Sequence, residues 1–164
     1  MFIRNEETTD LEAIFRLTAS AFASVPHSDG SEPTIIDKLR ERGDLTLSRV
    51  AVQNEEIVGH IAFSPVRIDS ATNSWFGLGP ISVAPALQQT GIGSALVRDG
   101  LDILKIQGAE GCVLVGDPGY YSRFGFKSEG RLTYEEVPTE YVQWLSFNKT
   151  TPTGKVIYSP AFSG

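Results

Sequence analysis

Apolar positions along this chain recur first at helical spacing and then at strand spacing. In "TTDLEAIFRLTASAF", Leu11, Ile14, Phe15, Thr18 and Phe22 share one face at the 3.6-residue period, which predicts a packing helix after a short strand at Phe2 and Ile3. Thr9 and Glu12 have the spacing of a capping box at its start. "SVPHSDGSEP" breaks the pattern as a loop, and Pro33 opens a shorter helix through Leu39 that Gly43 ends. "LTLSRVAV" and "IVGHIAFSPV" are rich in β-branched and aromatic residues and flank the polar "QNEE", so they read as antiparallel strands and their turn.

"WFGLGPISV" predicts a further strand, followed by a helix from about Gly91 to Gln107 and the short apolar run "CVLVG", the length of a buried strand. Strand, helix, strand in that order implies a parallel pair with a crossover helix. "DPGYYSRFGF" reads as a short helix leading into another strand, and "YVQWLSF" as a strand. The remainder is a turn-rich tail with a short strand near Lys155 to Tyr158.

Composition narrows the picture. A chain of 164 residues with 41% hydrophobic and 21% charged residues is expected to form a single domain over 1–164 with its own core. Its formal charge of −6, without a Lys/Arg run, argues against nucleic acid or an anionic membrane as partner. "MFIRNEETTD" lacks the basic start and apolar stretch of a leader, and no apolar run reaches membrane-spanning length, so a cytoplasmic protein is expected. One cysteine, Cys112, excludes a disulfide framework, and its apolar surroundings suggest a small core residue. No metal site is expected.

The chemistry-bearing stretch is "ISVAPALQQTGIGSALV". Its glycines lie where a strand meets a helix, and unpaired helix N–H groups there favour an anion. A Walker loop fails for want of Gly-Lys-Ser/Thr, and the dinucleotide fingerprint fails because Leu96 stands where Gly or Ala is needed. Gln88, Gly91 and Gly93 do fit Gln-x-x-Gly-x-Gly, and here the sequence resembles the GNAT superfamily of acetyl-CoA-dependent N-acetyltransferases. A second mark of that family, a tyrosine four residues before Gly-Phe, is matched by Tyr121, Gly125 and Phe126. "GLGPISV", "GDPGYYSRFGF" and "GKVIYSPAF" are similar to a branch of bacterial predicted N-acetyltransferases.

The resemblance covers roughly residues 2 to 147. It implies an α/β (α+β) fold: a mixed, mostly antiparallel sheet with a splayed parallel strand pair, flanked by helices. It implies that Gln88, Gln89, Thr90, Gly91, Ile92, Gly93 and Ser94 cradle the coenzyme A pyrophosphate. Ile81, Ser82 and Val83 would pair with the pantetheine arm, the Val83 amide serving as oxyanion donor. The loop lacks the Arg or Lys of many relatives, which leaves Arg98 or Arg123 as distant help.

Acyl transfer from a thioester to an amine also needs a proton for the departing thiolate. Tyr121 is the expected general acid and a cofactor contact, with Tyr120 the substitute. No acidic residue lies on "GLGPISVAP", so the base is left open among His60, Glu32, Asp117 and water. The expected function is N-acetyl transfer from acetyl-CoA to a primary amine of a small molecule or protein, with a homodimer as one expected assembly. The competing readings are a non-catalytic acyl-CoA-binding or regulatory domain and a purely structural module.

Overall fold

A computed structural model describes residues 1–69 and 71–163, with the backbone alone at Thr72 and Asn73. The strands are β1 (Phe2–Asn5), β2 (Leu47–Gln53), β3 (Glu56–Ile68), β4 (Ala71–Val83), β5 (Gly111–Val115), β6 (Leu132–Thr133), β7 (Val142–Ser146) and β8 (Gly154–Ile157). They form one mixed sheet in the order β1-β2-β3-β4-β5-β7, and β8 joins the far end of β3 and pairs with β6. Within the main path the β4–β5 pair is parallel and the other neighbours are antiparallel.

The helices are α1 (Leu11–Phe22), α2 (Glu32–Arg42), α3 (Ile92–Ile106) and α4 (Pro118–Tyr121). Strand alternation separates their contacts. Ile61, Phe63, Leu78, Cys112 and Leu114 face α3, which returns Leu96, Val97, Leu101 and Leu104 to the same core. On the opposite face Val50 and Val52 meet Ile14 of α1 and Ile36 of α2. Trp75, Val113, Leu132, Trp144 and Val156 continue that face under β6 and β8.

Three local expectations need correction. The acid that answers the first turn is Asp10, which accepts from the Glu7 N–H at 2.7 Å after a 3-10 turn, while Glu12 pairs with Arg16 in solvent. The buried stripe of α1 is Ile14, Leu17, Thr18 and Ala21, and Phe15 is 40% exposed, because α1 is rotated toward Leu17 by its contact with both β3 and α2. After "YSRFGF" the chain makes only a single bridge, Lys127 to Trp144, where a strand was expected. The short strand expected in the tail forms as β8 and joins the sheet: Ile157 and Val156 pair with Arg67 and Ile68 of β3, taking the edge that β2 leaves at Phe63.

Elsewhere the pattern is realised closely. Asn54 and Glu55, both at positive φ, make the tight turn between β2 and β3. Gly43 (φ 75°) closes α2 in the left-handed conformation, and the Asp44 N–H returns to the Leu39 carbonyl at 2.8 Å.

Candidate active site

The site starts from a break in strand pairing. β4 and β5 run together only as far as Gly77 opposite Val113, although β4 continues to Val83. Just past that point Gly79 and Pro80 together oppose Ala62 of β3, a bulge that shifts the register by one residue. The Ala84 N–H donates to the Val58 carbonyl at 2.8 Å. Because antiparallel ladders alternate, the His60/Ser82 pair then exchanges hydrogen bonds, and the backbone groups of Ile81 and Val83 turn away from β3 toward the gap left by β5. Ser82 therefore directs its own backbone at β3, and only Ile81 and Val83 offer theirs to the gap.

The loop that follows is shaped by its sequence. A 3-10 turn over Pro85–Leu87 leads to Gln88, whose amide donates to the Val83 carbonyl at 3.3 Å, and the Thr90 hydroxyl donates to the Leu87 carbonyl at 2.5 Å. Gln89 (φ 65°) and Gly91 (φ 95°) both take positive φ, so the chain turns into α3 with Gly91 as N-cap and without a side chain capping the first amides. A Cβ at Gly91 would meet only open space; one at Gly93 would lie 3.2 Å from the Tyr120 hydroxyl and 3.7 Å from Val83. Ile92 buries its side chain in the α3 core, which leaves its amide for the loop. The first turn of α3 thus presents amides, a positive dipole end and no side chain in the way, which fits a diphosphate.

Asp117 caps α4 by accepting from the Gly119 N–H at 2.9 Å. This short helix brings both tyrosines beside the gap. The Tyr120 hydroxyl lies 3.3 Å from Ser94 Oγ at the start of α3. Tyr121 packs edge-on to Tyr120 at 4.9 Å and to Phe126 at 6.1 Å, against the α3-side core. Burial, with smaller contributions from Tyr120 and Cys112, pushes its hydroxyl up to about 12. Arg123 covers the Tyr120 ring at 4.4 Å and Arg98 the Phe124 ring at 4.9 Å, so both arginines, though exposed, lie over this aromatic group.

The candidate bases are scattered. Glu32 lies in the first turn of α2 and accepts from the Ser28 hydroxyl at 2.6 Å. His60 is wholly buried; burial, only partly offset by the Glu6 charge, depresses it to about 4. Its Nε2 is 2.8 Å from Ser48 Oγ, which also donates to Glu6 Oε1 at 2.5 Å. Two bonds of 2.9 Å tie Glu6 to Arg40. Ser48, Glu6 and Arg40 escape sequence reasoning because no local motif links residues drawn from separate strands and α2. Cys112 is buried, with its thiol pushed well above the ordinary range by desolvation, consistent with a packing role. A groove of about 660 Å³ lies between α1 and α2, but its lining of Leu11, Phe15, Arg16, Asp37 and Arg40, among others, includes no residue of the loop or α4.

No helix among the described residues is long and apolar enough to cross a membrane. Residues 3–128 match the model of the acetyltransferase (GNAT) domain family. The chain is 38% identical over 128 residues to the uncharacterized N-acetyltransferase YhbS of Escherichia coli K12, covering 77% of this chain and 74% of that one. A GNAT family acetyltransferase from Brucella melitensis, crystallised with acetyl-CoA, is 46% identical and superposes with a TM-score of 0.89 over 99% of this chain and 97% of its own. Escherichia coli YhbS in complex with CoA gives 32% identity and a TM-score of 0.91 over 99% and 92%. With the splayed strands, the glycine loop and the tyrosine helix in the order that family uses, this chain belongs to the GNAT acetyltransferases.

Proposed function

We propose that this chain is a cytoplasmic N-acetyltransferase that moves the acetyl group of acetyl-CoA to a primary amine. The observation that carries the reading is a coincidence in space: the uncapped start of α3 at Gly91 opens onto the same gap that Ile81 and Val83 line with unpaired backbone and that Tyr121 flanks. Bound acetyl-CoA supplies an activated acyl carbon and a thiolate leaving group.

The first amides of α3, from Gly91 to Ser94, hold the diphosphate, and Gly91 and Gly93 keep it free of side chains. Val83 lies next to Gly93, so its backbone meets the arm close to the diphosphate end. The Ile81 amide is two residues, about 7 Å, deeper along the strand. That depth makes Ile81, with Val83 as the alternative, the better donor to the oxygen that becomes negative as the amine attacks. The nitrogen–carbon bond forms, the carbon–sulfur bond breaks, and the amine loses one proton as the sulfur gains one. A CoA thiol resembles cysteine, with a pKa of about 8.5. Tyr121, held higher, keeps its proton and stabilises the thiolate by hydrogen bonding before any full transfer.

The expected outcome of Gly93→Val is loss of acetyl-CoA binding by isothermal titration in a folded protein; equal affinity would remove the loop from the cofactor site. Tyr121→Phe should lower kcat about a hundredfold to ten-thousandfold while acetyl-CoA affinity changes only a few fold. Tyr120→Phe, which forfeits the Ser94 contact, should be much milder. A non-catalytic acyl-CoA-binding domain would bind acetyl-CoA yet release no thiol with any amine.

A further inference from the structure

A file of polar side chains crosses the face of the sheet opposite α3. Ser82 of β4 stands directly across from His60 of β3, His60 is bonded to Ser48 of β2, and Ser48 to Glu6 just past β1, which Arg40 of α2 clamps. The file lies on the α1/α2 face, because Ile61 and Val83 on either side of it pack toward α3 and because Val50, the β2 partner of His60, belongs to the α1/α2 core. Two atoms in it, His60 Nδ1 and Ser82 Oγ, are buried and have no protein partner. Buried polar groups rarely stay unpaired, and a neighbouring pair of them suits a shared hydrogen-bonding molecule.

The bonding fixes the tautomer. A carboxylate only accepts, so the single Ser48 hydroxyl hydrogen goes to Glu6, and the Ser48 oxygen must accept from His60 Nε2–H. Nδ1 is left as a bare acceptor. Ser82 adjoins Ile81, whose backbone faces the gap, and its side chain lies on the sheet face opposite the α3 loop.

We propose that His60 is a positioning residue for the acceptor amine: the Arg40, Glu6 and Ser48 file locks its Nε2–H tautomer, and Nδ1 with Ser82 Oγ seats one water that hydrogen-bonds the amine N–H. This rests on the transferase reading above. The seat orients the nitrogen lone pair toward the acyl carbon, and the amine's surplus proton passes through that water to bulk solvent, balancing the one the departing sulfur takes up. The charged groups facing the imidazole are Glu6 and Arg40; α1 turns Ile14, Leu17, Thr18 and Ala21 inward, and β2 and β4 contribute serines.

One arm of the test needs no turnover. Nitrogen-15 shifts of the His60 ring in the acetyl-CoA-bound protein should show Nε2 protonated, Nδ1 bare and no titration from pH 8 to pH 5.5. A protonated Nδ1, or a ring titrating near its ordinary value, overturns the proposal. The other arm follows thiol release with spermidine, tyramine and a lysine-containing peptide as acceptors. His60→Gln, which keeps a donor for Ser48 but removes the Nδ1 acceptor, should lower kcat about tenfold to a hundredfold at unchanged acetyl-CoA affinity. His60→Asn, which returns an acceptor near Nδ1, should recover part of it. Ser48→Ala should lose activity and Ser48→Thr recover most of it. Wild-type kcat in both His60→Gln and Ser48→Ala overturns the proposal. Acetyl-CoA binding by a wild type that turns over none of the amines overturns the transferase reading, and the proposal falls with it.

Discussion

His60 is neutral throughout the pH range in which amines attack thioesters. Its depressed value of about 4 means that kcat/KM should rise with pH along the acceptor's own ionisation, without a limb near 6.5. An acidic limb near 6.5 in wild type that His60→Gln abolishes would restore the imidazole as a titrating base. The same shift has a stability consequence. The unfolded chain binds a proton at His60 below about pH 6.5 and the folded chain does not until about pH 4. Stability is therefore full above pH 6.5 and falls as pH drops toward 4, by on the order of 3 kcal/mol. Urea unfolding at pH 7.5 and 5.0 should show about 2 kcal/mol of that loss, and His60→Gln should flatten it. For Glu6, burial pushes the carboxyl up but the bonds from Arg40 and Ser48 outweigh it and hold it below its usual range, so its contribution is lost at still lower pH. Gly91 is constrained differently: at φ 95° any side chain costs about 1–2 kcal/mol from backbone strain alone. Gly91→Ala should thus lower stability measurably even without ligand, whereas Gly93→Ala acts through crowding of Tyr120.

At the scale of elements, α3 connects core and site. Its middle is tied to the sheet by Asp99, which takes two bonds of 2.8 and 3.1 Å from Arg49 of β2, and the next residue presses against the sheet, where a Cβ at Gly100 would overlap the Phe63 ring. Gly100→Ala should therefore overpack the core and cost about 1–3 kcal/mol, read as a lower urea midpoint. Because α3 carries the loop amides, the displaced helix should also bind acetyl-CoA more weakly. Asp99→Asn keeps the volume and removes only the charge pair. It should cost about 1 kcal/mol and leave acetyl-CoA affinity nearly intact.

Across the whole molecule the tail closes the sheet. β8 pairs with β3, Val156 and Ala161 are almost fully buried, and the Ser159 hydroxyl donates to Asp44 at 2.7 Å beyond the end of α2. Tyr158 packs edge-on to Tyr134 at 4.9 Å and lies against Gly77, the last β4 residue paired with β5. Each large apolar side chain removed from such a site is worth about 1.5–3 kcal/mol, against a total of about 5–15. A chain ending at residue 149 should lose most of its stability, seen as a collapsed thermal transition by circular dichroism; an unchanged melting temperature would make the tail an appendage.

The sequence by itself determined the order of elements and the glycine loop that enters α3, because both are written in short-range patterns. Alternation marks the strands, helical spacing marks α3, and two glycines with Gln88 fall within six residues whose chemistry is local. Tyr121 was legible for the same reason, as a fixed distance to Gly125 and Phe126. It could not place Phe15 outside and Leu17 inside, since the rotation of α1 depends on what packs against it. Nor could it find the Ser82, His60, Ser48 and Glu6 file, whose members come from the β1 end and three strands and meet only through register. Whether Ile81, Ser82 or Val83 faces the gap was likewise decided by tertiary structure, because the bulge at Gly79 and Pro80 and the departure of β5 set which backbone groups remain unpaired.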